Sequence, residues 1–131
     1  MCGECLEIVL NQNIKIYKEN YENLPGRFVE KIERDIKYLL KSDITGLRKV
    51  YLFGSCARGD VRSSSDIDLI VVTDRKISDR VLAADIRWSL DEPINGVRTD
   101  VVYKNEESER MQSVFENIVN FEKKLILEVV R

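Results

Sequence analysis

Four consecutive apolar residues, Leu69-Ile70-Val71-Val72, follow directly on Asp66-Ile67-Asp68. A run this short, rich in β-branched side chains and bounded by polar segments, reads as a buried strand. Two similar runs flank it. Val50-Tyr51-Leu52-Phe53 is stopped by Gly54, and Val97–Tyr103 begins after a break at Pro93 and Asn95-Gly96. The segments around these runs have helical spacing instead. Residues 26–41 set Phe28, Val29, Ile32, Ile36, Leu39 and Leu40 on one stripe, and Pro25 suits a first helical position. Residues 4–20, carrying Leu6, Val9, Leu10, Asn13 and Tyr17, read as an earlier helix. Ser78 reads as the N-cap of a helix through Val81, Leu82, Ile86 and Leu90. Met111 to Ile126 reads as a long closing helix. Strands alternating with helices imply an α/β layer, a small mixed or parallel sheet flanked by helices. At 131 residues the chain fits one domain: an N-terminal helical extension over 1–45, a core over 46–104 and a closing helix over 105–131.

Composition removes several chemistries. There is no histidine, which excludes a Ser-His-Asp triad, a Cys-His dyad and an imidazole-based zinc site. A net charge of −2 argues against a dedicated nucleic-acid partner. No apolar run approaches the ~20 residues that span a bilayer, and the N-terminus lacks a basic-then-apolar leader. Three cysteines, Cys2, Cys5 and Cys56, are an odd count that suits a reducing cytoplasm. Cys2-Gly3-Glu4-Cys5 has metal-knuckle spacing, but only Cys56 remains as a further thiol, so terminal cysteines are the expectation. Arg27, Lys31, Arg34, Lys37 and Lys41, mixed with Glu30, Glu33 and Asp35, read as a solvated helix face with local ion pairs. Trp88 reads as helix-packing filler.

Three features carry chemistry together. Gly54-Ser55 follows a strand and opens a short helix, where backbone amides favour an anion such as phosphate. By itself the dipeptide reads as a tight strand-to-helix turn. Asp66 and Asp68, two apart on a strand, share a face. Like charges that close raise one another's pKa, and a hard divalent cation removes that cost. The other reading is a pair of exposed loop aspartates that cap backbone amides. Asp100, among apolar strand residues, reads as a salt-bridged or exposed-face aspartate, or as a third acid of the same cation site. It follows Asp68 by a strand–helix–strand interval that can bring all three together.

The stretch Leu52-Phe53-Gly54-Ser55-Cys56-Ala57-Arg58-Gly59, then Ser65-Asp66-Ile67-Asp68-Leu69, resembles the signature of the DNA polymerase beta nucleotidyltransferase superfamily. Within it, the chain resembles the minimal nucleotidyltransferases, and the spacing of Ser55 from Asp66 resembles the antitoxins paired with HEPN toxins. The resemblance covers residues 49–103. It implies a polymerase-beta-type fold and two Mg2+ ions held by Asp66, Asp68 and Asp100. It implies ATP as substrate, bound at Gly54, Ser55, Arg58, Arg62 and Ser65. It further implies transfer of AMP to a hydroxyl of a partner HEPN toxin, with a homo- or hetero-oligomer as the working form. An antibiotic-modifying enzyme and a catalytically silent toxin-binding module are the alternatives.

Overall fold

The computed structural model describes residues 13–42, 44–106 and 123–130. In chain order these form β1 (Asn13–Ile16), a 3-10 turn (Lys18–Asn20), α1 (Gly26–Lys41), β2 (Leu47–Phe53) and the one-turn α2 (Ser55–Arg58). There follow β3 (Ile67–Thr73), α3 (Arg80–Asp91), β4 (Thr99–Asn105) and β5 (Lys124–Val130).

The five strands make one mixed sheet in the order β1-β5-β2-β3-β4. Only β3 and β4 run parallel; the other neighbours are antiparallel. That single parallel pair follows from its connection. β3 returns to β4 through α3, and a helical crossover is what a parallel pair needs. The apolar stripe of α1 buries Phe28, Ile32, Ile36 and Leu39 against Val50, Leu52, Leu69, Val71 and Leu127 of the sheet. From α3 come Ile86 and Leu90.

Several expectations change. Asn13–Ile16 is a strand rather than part of a helix, because Ile14 and Ile16 alternate and the segment pairs with β5, Asn13 opposite Val130. Residues 1–12, including Cys2 and Cys5, lie outside the described residues. The closing helix also gives way at its end. Leu125 and Ile126 belong to β5, which lies between β1 and β2. Its adjacent residues Ile126 and Leu127 are both buried, so the run lacks the alternation of a strand with one covered face. Residues 107–122 fall outside the described residues. The N-cap of α3 is Asp79, whose carboxylate accepts from the Leu82 amide, not Ser78. Trp88 is 82% exposed on α3 instead of packed. Among the described residues no helix is long and apolar enough to cross a membrane.

Candidate active site

The loops that end β2 and begin β3 and β4 meet at one edge of the sheet. The register pairs Asp68 of β3 with Asp100 of β4 and, on the other side, with Phe53 of β2. Strands stand about 4.8 Å apart, and side chains alternate faces, so Asp68 and Asp100 sit side by side on the same face. Asp66 lies just before β3. Its charge acts on Asp68, as does that of Asp100. Burial first, then these two like charges, push the Asp68 carboxyl above the ordinary aspartate range. Asp66 and Asp100 are exposed and Asp68 is half-buried.

Gly54 is fitted to the same spot. Its backbone has φ 72° and ψ −145°, a region essentially closed to other residues. A Cβ there would stand 2.7 Å from Asp68 Oδ2. Glycine therefore permits both the turn and the close approach of the Asp68 carboxylate to the turn backbone. Ser55 then opens α2, whose first amides have no helical acceptor. Gly59, left-handed at φ 79°, ends the turn, and the Asp60 amide closes it onto the Ser55 carbonyl at 3.1 Å. Cys56 is buried, and its thiol donates to the Asp66 carbonyl at 3.7 Å, tying α2 to the acidic segment. Burial and the nearby carboxylates push this thiol up to about 12. It therefore stays protonated and unreactive at neutral pH.

The remaining candidates are Arg58, the last residue of α2, and Arg62 and Ser65 in the loop before β3. Arg58 is exposed, with its Nε 3.5 Å from Asp60 Oδ2. The Ser65 hydroxyl accepts from the Arg62 backbone amide at 2.7 Å, while the Ser65 amide donates to the Arg62 carbonyl at 3.0 Å. Ser65 thus closes a turn that presents Arg62 to solvent.

A model of the nucleotidyltransferase domain matches residues 29–127, about three quarters of the chain. The chain belongs to the nucleotidyltransferase domain family. A candidate protein adenylyltransferase of Methanocaldococcus jannaschii is 46% identical over 46 residues, which cover 34% of this chain and 46% of that protein. The chain therefore matches less than half the length of that relative. Among solved structures, a toxin–antitoxin with AMP-PNP is 28% identical with a TM-score of 0.50, covering 71% of this chain and 70% of the other. The toxin–antitoxin MntA–HpeT, in a mutant that replaces a tyrosine with alanine, is 27% identical with a TM-score of 0.50. That match covers 72% of this chain and 70% of the other.

Nucleotidyltransferase chemistry needs hard oxygen donors for divalent ions, and the three carboxylates at one end of the strands are of the type that could serve. Their mutual repulsion at Asp68 is a cost that a cation relieves. As the side chains stand, no group of three acidic or thiol side chains among the described residues is tight enough to hold an ion. Holding an ion would require the three carboxylates to turn toward one another, and a change of χ1 is a small cost beside cation binding.

Sequence reasoning missed one set of residues beside this site. Lys31 and Asp35 are buried, not solvated, and Thr99 is buried with them. Lys31 Nζ lies 2.6 Å from Asp35 Oδ1, and the Thr99 hydroxyl donates to Asp35 Oδ2. Burial pushes the Asp35 carboxyl up, against the pull of Lys31 and Thr99. The signal was present: at 3.6 residues per turn Asp35 falls within roughly 20° of Phe28 around the helix axis, inside the apolar stripe.

Proposed function

We propose that this chain is a magnesium-dependent adenylyltransferase that moves AMP from ATP onto a hydroxyl of a partner protein, a HEPN-type toxin. The observation that carries the reading is the pairing of Asp68 with Asp100 on parallel strands, with Asp66 acting on Asp68 and the Gly54-Ser55 turn against its carboxylate. Asp66 and Asp68 would hold two Mg2+ ions, with Asp100 completing the site of one. Bound Mg2+ would lower the pKa of the attacking hydroxyl and offset charge on the pyrophosphate as it leaves. Gly54 and the amides opening α2 would seat the triphosphate, and the Ser55 hydroxyl would add a donor. Arg58 and Arg62 would offer guanidinium forks to phosphate oxygens. Asp100 would orient the acceptor hydroxyl and accept its proton. The acceptor oxygen attacks the α-phosphorus, the bond to the bridging oxygen breaks, and pyrophosphate departs.

Similarity to toxin–antitoxin structures supports the choice of partner. Both toxin–antitoxin structures share this fold, and a mutated tyrosine in one of them makes tyrosine the first acceptor to examine. Cytoplasmic residence fits such a partner.

The test is mass spectrometry of the copurifying protein after incubation with this chain, ATP and Mg2+. An AMP adduct on that partner is expected, and its absence in Asp66→Ala with folding intact. No nucleotide on any partner would count against the reading and favour a silent binding module.

A further inference from the structure

One polar row of α1 reaches each segment that leads into an acid-bearing strand. Arg27, Lys31 and Asp35 stand four residues apart on that row. Lys31 and Asp35 are 1% and 3% exposed, and their charges meet at 2.6 Å. Neither bond stops at α1. Lys31 Nζ also donates to the Leu90 carbonyl at 2.8 Å, in the last turn of α3. The second Asp35 oxygen takes the hydroxyl of Thr99, the first residue of β4. The pair therefore joins both ends of the α3–β4 connection. One turn earlier, Arg27 donates to the Ser63 carbonyl at 2.9 Å, in the loop before Asp66. Arg27 also reaches the Asn95 carbonyl at 3.5 Å, and the Asn95 side chain donates to Glu30 at 3.0 Å.

Stability is a weak explanation for the buried pair, because apolar side chains of similar volume avoid the desolvation cost. Placement is a better one. The Thr99 side chain points toward α1, so Asp100, the next residue on the strand, points to the opposite face beside Asp68. We infer that Lys31, Asp35 and Thr99 are positioning residues that fix Asp100 in register with Asp68. The inference rests on the functional reading above.

Thr99→Val removes the hydroxyl and keeps the shape; Thr99→Ser keeps the hydroxyl. The double variant Lys31→Met/Asp35→Leu fills the buried volume without charge, which guards against simple unfolding. Electron paramagnetic resonance would follow Mn2+ binding to the full chain with α,β-methylene-ATP, which cannot transfer AMP. Two Mn2+ ions are expected for the wild-type chain. Thr99→Val and the double variant are expected to bind one of them about 10- to 100-fold more weakly, with native circular dichroism and unchanged nucleotide affinity. Thr99→Ser is expected to match wild type. Folded variants that bind both ions like wild type would overturn the inference. A wild-type chain that binds no Mn2+ overturns the functional reading instead. Amide exchange at Thr99–Val101 then decides the clamp: faster exchange in the variants supports it, and unchanged exchange overturns it.

Discussion

Asp68 stands in a setting unfavourable to its own charge. Its carboxyl is raised by burial and by two neighbouring acids. A raised acid binds its proton more tightly in the folded chain than in the unfolded one. Its contribution is therefore neutral at low pH and becomes a penalty as pH climbs from the ordinary value of 3.8 through the folded pKa. Asp68→Asn removes that penalty. Without divalent ions, the variant is expected to melt above wild type at pH 7, with the gap shrinking toward about pH 4. Melting curves at the two pH values check this, and an equal or lower melting point at pH 7 would refute it. Gly54 makes the complementary case. Gly54→Ala meets both a forbidden backbone region and the Asp68 carboxylate. It should cost about 1–3 kcal/mol in urea unfolding. Gly26→Ala, at the start of α1 with open space around it, should be neutral or stabilise by about 0.4–1 kcal/mol. Equal effects at the two glycines would remove the geometric argument.

At the scale of elements, β5 is the piece on which the sheet most depends. It pairs with β1 on one side and β2 on the other. Ile126 and Leu127 are fully buried. Ile126→Ala should destabilise by about 2–5 kcal/mol. Amide exchange should protect Lys124–Val130 as strongly as β3. Fast exchange across that segment would mean that it does not form a central strand. The charged row of α1 shows the same lesson from the other side. Residues that look solvated by type are buried here, because the helix turns Asp35 into its own apolar stripe and a partner on β4 satisfies it.

For the whole molecule, ligand linkage gives the clearest measurement. A non-transferable ATP analogue with Mg2+ at about 100 times its dissociation constant should add about 2.7 kcal/mol of stability. Without Mg2+ the gain should largely vanish, and Asp100→Ala should lose the Mg2+-dependent part. A thermal shift that is the same with and without Mg2+ would separate nucleotide binding from the three acids.

The sequence alone determined the three apolar runs at 50–53, 69–72 and 97–103, the α1 stripe and the turn at Gly54-Ser55, because each is a local pattern of period, size or backbone freedom. It also placed Asp66 and Asp68 at the start of a strand and Asp100 inside the third run; β4 begins at Thr99, which sets Asp100 near its start. Tertiary structure decided what local patterns cannot encode. β1 is a strand because it finds a partner more than 100 residues away along the chain, Asn13 opposite Val130, and β5 because it pairs with both β1 and β2. The same holds for the register that sets Asp68 beside Asp100, and for the buried Lys31–Asp35–Thr99 contact, whose partners come from α1 and β4. Pairing and desolvation are properties of two segments at once, so a single segment read by itself does not contain them.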